Sequence, residues 1–497
     1  MSERQRLTLV AAILGSAVAM IDGSIVNVAL PAIESDLGGG LAAQQWVANA
    51  YLLMLGSLIL IGGSLGDIYG ERRVFAIGIA AFGVLSLVCA AAPTIGVLIA
   101  ARALQGAAGA LVTPSSLAII VAAFPPSQRG GAIGSWTAWG GIAAIAGPLA
   151  GGWIIDQTSW RWIFALNVPL VLVTLALILT AVPRRASERG RNVDLLGAAL
   201  CALGLGGVVF ALIEQPRFGW GSPAIIVPLA GGLLALAAFL VHERRAAEPM
   251  LKLELFSRRN FAVGNAETLC MYAGLAILFF YLVIFLQEVA GYSALRAGFT
   301  TLPVTIVMFF FSRRFGALAD RLGPRLFMGA GPLIAACGIL LLLRLGLHVS
   351  YLTDLLPALL LFAVGLSLTV APLTAAVLAD ADESDAGIAS GVNNAVARVA
   401  GLVGVSVVGV VVAGSLVGDT FAPDGDSVRA FHEAIAICAA LVAAGGVAGA
   451  IGIVNPRRAV EAELCPGGQL VGAPLPAVDQ EPAPSAIVDP VPREASI

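Results

Sequence analysis

Fourteen runs of about 20 mainly apolar residues recur along the 497-residue chain. Because an α-helix rises about 1.5 Å per residue, a run of about 20 apolar residues spans the hydrocarbon core of a bilayer. The runs lie near 7–30, 46–66, 74–92, 95–122, 131–155, 162–182, 195–214, 223–242, 261–287, 297–315, 326–347, 353–379, 386–418 and 431–454. The sequence therefore predicts an all-α integral membrane protein with 14 transmembrane helices.

The composition supports this prediction and excludes several classes of protein. Hydrophobic residues make up 59% of the chain and charged residues only 12%, whereas soluble domains carry about 25% charged residues. No basic block with interleaved aromatic residues is present, so we expect no nucleic-acid partner. The six cysteines and three histidines lack the spacing of metal ligands or of a catalytic cluster, so we predict no metal site and no enzyme activity.

The basic residues indicate the orientation of the chain. Most of the 28 Lys and Arg residues fall in the even-numbered connections and in the terminal segments. Short cytoplasmic loops of membrane proteins are enriched in these residues. We therefore predict that both termini are cytoplasmic, which requires an even number of spans.

One pattern of five residues occurs twice with the same spacing. The copies are Gly63-x-Leu65-x-Asp67-x-x-Gly70-x-Arg72 and Gly316-x-Leu318-x-Asp320-x-x-Gly323-x-Arg325. A plain turn with cytoplasmic arginines would explain one copy, but both copies follow the second span of a set of six. Two related halves with two inserted helices, a 6+2+6 arrangement, are typical of two-half transporters.

This arrangement divides the chain into four predicted parts. They are an amino-terminal six-helix half (1–182), two inserted helices with flanking cytoplasmic loops (183–260), a carboxyl-terminal six-helix half (261–455) and a disordered cytoplasmic tail (456–497). The tail is predicted from its high content of Pro, Ala and acidic residues and from its lack of a spanning run.

Few charged residues lie within the predicted spans, and each calls for a partner or a water-filled cavity. Asp22 and Arg102 lie at similar predicted depth, so they form either a static ion pair or a site where a carboxyl group gains and loses a proton during transport. Glu267, about 9 Å into span 9, is a second candidate for proton coupling or an acid anchored at the interface. Arg398 lies in the middle of span 13.

Small and aromatic residues supply further candidates. Gly147, Pro148, Gly151 and Gly152 in span 5 permit close helix contact and a local break in the helix, so they form a packing surface, a hinge, or both. Aromatic side chains in membrane helices face lipid, other helices or a ligand, and the candidates for a ligand-binding wall are Trp136, Trp139, Tyr272 and Phe279.

Together these motifs resemble the major facilitator superfamily over about residues 7–455, and within it the fourteen-helix drug:proton antiporters of the EmrB/QacA type. Beside the repeated loop pattern, the similarity rests on seven short motifs in or next to seven of the spans. These are Asp22-Gly-Ser-Ile-Val-Asn27-Val-Ala-Leu-Pro31, Trp46 with Tyr51, Arg102-Ala-Leu-Gln105-Gly106, Gly147-Pro148-Leu-Ala-Gly151-Gly152, Trp160-Arg-Trp162-Ile-Phe164-Ala-Leu-Asn167-Val-Pro169, Gln287 with Gly291-Tyr292-Ser293, and Gly387-Ile-Ala-Ser390-Gly391-Val-Asn393-Asn394.

The resemblance implies roles for these residues. Coupling to protons is implied for Asp22 with Arg102, and a hinge typical of antiporters for the Gly147–Gly152 motif. A latch of the outward-facing state is implied for the loop patterns, here Gly63, Asp67, Gly70, Arg72, Asp320, Gly323 and Arg325. The substrate-cavity candidates are Asn27, Tyr51, Gln105, Trp136, Trp139, Tyr272, Asn393, Asn394 and Arg398. Glu71 and the pair Arg313-Arg314 depart from the family pattern at the two loops.

The expected function is proton-coupled export of drugs or other small lipophilic compounds, cationic or neutral, by alternating access. It needs no cofactor beyond the proton gradient, and the expected form is a monomer in a bacterial cytoplasmic membrane. The alternatives are a narrow exporter of an endogenous metabolite and a uniporter or symporter of another substrate. High Ala, Gly and Arg content with the single lysine Lys252 indicates a GC-rich genome.

Overall fold

The computed structural model describes residues 1–183, 193–246, 249–379 and 386–455. The predicted tail, residues 456–497, lies outside the described residues. Fourteen helices in the described part are long and apolar enough to cross a membrane. The predicted number of spans and the all-α fold are therefore confirmed.

The amino half begins with five long helices and ends with a helix that is broken in two. Its helices are α1 (Glu3–Leu37), α2 (Gly40–Tyr69), α3 (Glu71–Ala90), α4 (Ile95–Ala123), α5 (Pro126–Gln157), α6 (Arg161–Ala165) and α7 (Asn167–Ala181). Two inserted helices follow, α8 (Leu195–Phe218) and α9 (Pro223–Arg245), and then a short 3₁₀ helix, Leu253–Ser257.

The carboxyl half repeats the set of six spans with two irregular turns. Its helices are α10 (Arg259–Ile284), α11 (Ala294–Thr300), α12 (Leu302–Leu322), α13 (Pro324–Leu341), α14 (Leu356–Ala379), α15 (Ala386–Ala413) and α16 (Gly425–Gly452). A π-helical turn, Phe285–Val289, extends α10, and another, Tyr351–Leu355, precedes α14. A 3₁₀ turn, Leu342–Arg344, follows α13.

Two spans predicted as single helices are interrupted, each just before a proline. The sixth span breaks at Leu166, ahead of Pro169, and the tenth breaks at Thr301, ahead of Pro303. Proline lacks the backbone N–H that would bond to the preceding turn, and its ring crowds that turn. The breaks therefore have a local cause in the sequence.

The two loop patterns adopt the same turn in the two halves. Gly70 joins α2 to α3 with a φ of 88°, and Gly323 joins α12 to α13 with a φ of 88°. This left-handed conformation is open to glycine at little cost and strained for other residues. The turn explains why glycine stands at this position of both copies.

The arginine of each pattern binds the end of the sixth span in its own half. Arg72 donates from Nη2 to the carbonyl oxygen of Leu179 at 2.7 Å, and Arg325 donates from Nε to the carbonyl oxygen of Ala450 at 2.7 Å. The last carbonyls of a helix have no partner within the helix, and a cation there also complements the helix dipole. These arginines therefore cap α7 and α16.

A second arginine completes this arrangement in both halves. Arg4, at the start of α1, donates to the carbonyl oxygen of Ala181 at 3.0 Å. Arg259, at the start of α10, donates to the carbonyl oxygen of Gly452 at 2.7 Å. In each half, hydrogen bonds from these two arginines thus join the first and third spans to the end of the sixth span.

The inserted helices attach mainly through α8. This helix packs against α2 and α15, whereas α9 packs on α8. At the end of α8 near the start of α2, Trp46 donates from its indole to a carboxylate oxygen of Glu214 at 2.9 Å, and its ring tilts against Phe210. The inserted pair therefore lies at the edge of the two halves.

The hydrogen bonds that join the described parts of the two halves cluster at one side of the membrane, the predicted outer side. Gln45 of α2 donates to the Tyr281 hydroxyl at 3.1 Å and to the Val405 carbonyl at 2.9 Å. Gln287 donates to the Val28 carbonyl at 3.1 Å. The two halves are therefore joined at the predicted outer side.

Removing a capping guanidinium should destabilise the half that contains it. In Arg72→Ala the end of α7 loses a charge-assisted donor, a contribution of about 1 kcal/mol at a helix end. We expect the midpoint of thermal unfolding in detergent to fall by about 1 to 3 °C, and Arg325→Ala should lower it similarly. The control is Arg73→Ala, because Arg73 is exposed beside Arg72. An equal fall in this control would contradict the capping role.

Candidate functional site

A space between the two halves reaches the middle of α1. Gly23 is exposed there, and a side chain added at this position would meet no atom within 4 Å. The other sides of α1 pack against α4, α5, α7 and α10, so the open side of Gly23 faces a cavity. Asn27 lies one turn further on the same face and is half-buried. It remains a candidate for binding substrate.

Asp22 and Arg102 form an ion pair beside this cavity. Oδ2 of Asp22 accepts a hydrogen bond from Nη1 of Arg102. The two side chains are 0% and 1% exposed, so the pair is sealed within the amino half. Oδ1 of Asp22 accepts from Gln105 at 3.1 Å and from Asn167 at 3.0 Å. Asp22 is therefore surrounded by donors, as expected for a buried carboxylate.

The guanidinium of Arg102 is held on several sides. Its Nε donates to the carbonyl oxygen of Val47 at 3.2 Å, and its Nη1 also donates to Oε1 of Gln105 at 2.7 Å. The ring of Tyr51 lies 4.4 Å from the guanidinium carbon in a cation–π contact. The pair thus connects α1, α2 and α4, and any change in its charge would act on all three helices.

Two of the predicted cavity residues belong to this buried network instead. Gln105 is 0% exposed and bonds to Asp22 and Arg102, and Tyr51 is 2% exposed beneath Arg102. Neither side chain opens into the cavity. Their assignment as substrate-cavity residues needs correction, because the polar groups that a buried ion pair requires had to come from neighbouring helices.

Sequence reasoning missed two members of the network. Ser86 of α3 accepts hydrogen bonds from Gln105 at 2.9 Å and from Asn167 at 3.3 Å. Asn167, the first residue of α7, binds Asp22 directly. Asn167 belongs to the family motif of span 6, so this motif could have indicated it as a site residue. A lone serine within an apolar span gave no such signal.

Glu267 lies elsewhere, inside the carboxyl half. It is 0% exposed, and neither carboxyl oxygen has a hydrogen-bond partner among the described residues. Its side chain contacts α16 at Gly445 and Gly449. An ionised carboxylate in such a place costs several kcal/mol. The group therefore either carries a proton or finds a partner in another conformation.

Two further cavity candidates, Asn393 and Trp136, are accounted for by helix packing, and a third, Trp139, is exposed. Asn393 of α15 donates to Asn265 at 3.2 Å and to Thr268 at 2.8 Å, which braces α15 against α10. Trp136 donates to Ser16 at 2.8 Å and so ties α5 to α1. Trp139 is 54% exposed and lies on the side of α5 opposite to the face that meets the carboxyl half. Its side chain therefore points away from the face of α5 that meets the other half.

Asn394, Arg398 and Tyr272 remain as candidates in the carboxyl half. Asn394 and Arg398 are half-buried and lie one turn apart on α15. Tyr272 of α10 lies within electrostatic range of Arg398. The β-carbon of Arg398 lies against Gly56 of α2, at 3.2 Å from the position of a Cβ there. These residues occupy the middle of the membrane where the two halves meet.

The glycine motif of α5 packs on the neighbouring α1. A Cβ at Gly147 would collide with Ser24, and one at Gly151 would collide with Ile25. The absence of side chains at these positions lets the two backbones approach closely. This part of the motif fixes α5 within its own half.

The rest of the motif meets the opposite half. A Cβ at Gly152 would lie 2.6 Å from the Cα of Leu295, and a Cβ at Gly298 would lie 2.6 Å from the carbonyl oxygen of Pro148. Both contacts are to α11. We call the surface of Pro148, Gly152, Leu295 and Gly298 the outer seal, because it closes the outer end of the space between the halves.

A carboxylate reinforces the outer seal. Asp156, at the end of α5, accepts hydrogen bonds from the backbone N–H groups of Ala294 at 3.0 Å and Leu295 at 3.1 Å. These are the first N–H groups of α11, which have no partner within that helix. Asp156 thus caps a helix of the other half and joins the halves outside.

The acidic residues of the two loop patterns differ in their surroundings. Asp67 is half-buried and engaged in an interaction, whereas Asp320 is exposed. Gly63 lies near Pro114 of α4 and Gly316 near Ala371 of α14, so both pack against the fourth span of their half. The repeat is therefore preserved in its backbone and its arginines more than in its carboxylates.

Comparison with known sequences is consistent with this architecture. A sequence model of the Major Facilitator Superfamily matches residues 12–405. The chain is 36% identical over 414 residues to the multidrug resistance protein Stp of Mycobacterium tuberculosis, covering 83% of this chain and 77% of that protein. It is 37% identical over 405 residues to the puromycin resistance protein pur8 of Streptomyces alboniger, covering 80% and 79%. The tetracenomycin C resistance and export protein of Streptomyces glaucescens is 32% identical over 422 residues, covering 84% and 77%.

Solved structures agree on the fold. The peptide transporter POT superposes with a TM-score of 0.65 at 14% identity and covers 90% of this chain and 97% of its own. The xylose transporter XylE from E. coli gives a TM-score of 0.58 at 14% identity and covers 90% and 98%. Because the family match covers most of the chain and the sequence relatives exceed 30% identity, the chain belongs to the major facilitator superfamily of membrane transporters.

Proposed function

We propose that the protein is a proton-driven antiporter that exports small lipophilic compounds, antibiotics among them, from the cytoplasm by alternating access. The observation that carries the proposal is a sealed Asp22–Arg102 ion pair beside a cavity that is closed at the outer side. A carboxyl group next to a cavity that opens alternately on two sides is placed to exchange a proton with either side.

The substrates of similar proteins support the export of small molecules. The relatives include resistance proteins for several drugs and for puromycin, and an export protein for tetracenomycin C. The fourteen spans make the chain a multi-pass membrane protein, and its similar proteins are bacterial. We assign it to the cytoplasmic membrane, working as a monomer with the proton gradient as its energy source and without a cofactor.

The proposed coupling step is a change in the partner of Arg102. In the state described here Arg102 is bound to Asp22. A proton that enters from the outer side neutralises Asp22 and removes the counter-ion of Arg102. The unpaired guanidinium must then find other acceptors, so the packing of α1, α2 and α4 differs between the two protonation states.

The proposed conformational step opens the outer seal. Pro148 and Gly152 separate from α11, and Asp156 releases the first N–H groups of that helix, while the inner ends of the halves approach. In this scheme the loop patterns meet at the inner side in the outward-facing state, which is the latch role expected for them. Gly147 and Gly151 stay packed on α1 and form the pivot.

Glu267 is the proposed second proton site. Its buried carboxyl group lacks a partner among the described residues, so a neutral, protonated acid fits the present state. It lies between α10 and α16, away from the Asp22 network. If Glu267 loses its proton, its carboxylate needs hydrogen-bond donors from the protein or from water. The helices α10 and α16 must then move to provide them, so the charge of Glu267 is linked to the packing of these two helices.

Asp22→Asn should uncouple transport from the proton gradient. We expect inverted vesicles with the native protein to accumulate a lipophilic substrate when a pH gradient is imposed, and to lose it when a protonophore is added. In Asp22→Asn this accumulation should fall at least about 10-fold, because the amide cannot exchange a proton. Substrates are sought in a panel of cationic, neutral and anionic lipophilic dyes.

The matched control for Asp22→Asn is Asp36→Asn. Asp36 also binds an arginine, Arg161, but this pair is exposed at the outer surface, where ion pairs contribute little. Accumulation should therefore stay within about twofold of the native level in the control. Full gradient-driven accumulation in Asp22→Asn would refute the coupling role.

Gly152→Val should hold the outer seal open. The new side chain would overlap the backbone of Leu295, so the outward-facing state is favoured. In cells carrying the reporter Gly23→Cys, a membrane-impermeant maleimide added outside should label the reporter at least about 10-fold faster when Gly152→Val is also present, because a clash of this kind costs about 1 to 3 kcal/mol. The protein without the reporter gives the background labelling of the native cysteines.

Gly96→Val is the control for this experiment. Gly96 also lies at the outer end of a helix, but a side chain there meets nothing within 4 Å. Labelling should stay at the native rate in this variant. Unchanged labelling in Gly152→Val would show that the α5–α11 contact does not close the cavity.

Glu267→Gln should separate a proton role from a packing role. Glutamine has nearly the same shape as a protonated glutamate, so the midpoint of thermal unfolding should not change. The steady-state accumulation ratio for a given pH gradient should fall, because one proton site is missing. A native accumulation ratio in Glu267→Gln would leave Glu267 as a packing residue only.

A further inference from the structure

Arg398 carries a guanidinium group in the middle of the membrane without a hydrogen-bond or ion-pair partner among the described residues. It lies about three turns from the inner end of α15. Its Nε is buried and has no hydrogen-bond partner, and no ion pair joins Arg398 to another described residue. A lone charge at this depth is costly, so an arginine there points to a ligand or a water-filled cavity.

The geometry of α15 directs Arg398 toward the space between the halves. Gly404 and Asn393 mark the face of α15 that packs on α10 of the carboxyl half. Gly391 marks the face that meets α2 of the amino half. At about 100° per residue, Asn394 and Arg398 fall on the arc between these two faces. Both side chains therefore point to the line along which the two halves meet.

The described carboxylates do not neutralise this charge. Four of them lie more than one turn inside the spans: Asp22, Glu214, Glu267 and Glu433. Asp22 is bound to Arg102, and Glu267 packs against α16. Nearer the outer side, Glu214 accepts a hydrogen bond from Trp46 at 2.9 Å and Glu433 accepts one from Ser415 at 2.7 Å. A cationic compound in the cavity would thus meet an uncompensated positive charge, whereas an anionic oxygen would find a donor.

Two phenol groups lie in the same region. Tyr272 of α10 and Tyr51 of α2 are both within electrostatic range of Arg398. The ring of Tyr51 also carries Arg102 in a cation–π contact. A ligand bound at Arg398 would therefore lie near the tyrosine that contacts the Asp22–Arg102 pair.

We propose that Arg398 recognises an anionic oxygen, a carboxylate or phenolate, of a lipophilic substrate held between the two halves, with Asn394 and Tyr272 beside it. Guanidinium groups bind such oxygens through two parallel hydrogen bonds, and the geometry is specific to arginine. The apolar spans around the cavity accommodate the rest of the compound. This inference deepens the proposed export function by naming the substrate class, and it does not depend on proton coupling.

The test is equilibrium binding of a matched pair of probes to the full-length protein in lipid nanodiscs. The probes are anthraquinone-2-carboxylate and its methyl ester, which differ in charge and little in shape, and the signal is quenching of tryptophan fluorescence. Nanodiscs without protein correct for partition into lipid. The carboxylate should bind at least about 10-fold more tightly than the ester, because a charge-assisted bond in a cavity is replaced by a neutral one.

Variants of Arg398 show whether this preference comes from the guanidinium. Arg398→Gln should weaken binding of the carboxylate about 10- to 100-fold and leave the ester unchanged. Arg398→Lys keeps the charge without the planar fork, so its affinity should fall between the two. Arg217→Gln is the control, because Arg217 lies exposed at the outer end of α8. Its probe preference should match that of the native protein.

Several results would overturn the inference. Failure of the carboxylate to bind would do so, and so would equal affinity of the native protein for both probes. The inference would also fail if Arg398→Gln and Arg398→Lys weakened binding of the carboxylate and the ester equally, because that result would indicate a packing role for Arg398. Arg398-dependent preference without gradient-driven transport would support the inference and contradict the antiport proposal. Gradient-driven transport without a preference for the carboxylate probe would support the antiport proposal and contradict the inference about Arg398.

Discussion

A charge inside the hydrocarbon core is costly unless the protein supplies its partners, and the Asp22–Arg102 pair meets this requirement with side chains from several helices. Gln105 of α4 and Asn167 of α7 complete the bonds to Asp22, and Tyr51 of α2 covers Arg102. Most of the amino half is thereby organised around one charge pair. A change in the protonation of that pair would reach the cavity through the helices that line it.

The two halves cap their last helices in the same way, at the ends predicted to be cytoplasmic. The end of the sixth span in each half presents unpaired carbonyl groups, and two arginines bind them, Arg4 and Arg72 in one half and Arg259 and Arg325 in the other. Each half is therefore a closed unit that can move as a body. The outer seal is one of the contacts between the halves; there glycines permit close approach and Asp156 caps a helix of the other half.

The sequence predicted residue types at the site better than residue roles. Asp22 and Arg102 could be paired from their depth alone, because charged residues within spans are few and must be neutralised. Gln105 and Tyr51 were expected in the cavity but contact the ion pair, and Trp139 was expected to line the cavity but is exposed on the side of α5 away from the other half. A polar or aromatic residue on a helix of a bundle can face a partner, a cavity or the bilayer, and its position along the span does not distinguish these directions.

By itself the sequence determined the number of spans, the duplication of the halves and the set of charged residues within the membrane, because hydropathy and repeated spacing are local properties of the chain. Only the tertiary structure decided which charges are neutralised. Asp22 is satisfied, Glu267 is buried without a partner among the described residues, and Arg398 faces the space between the halves. These differences arise because residues more than 70 positions apart, such as Asp22 and Arg102, meet only when the helices pack.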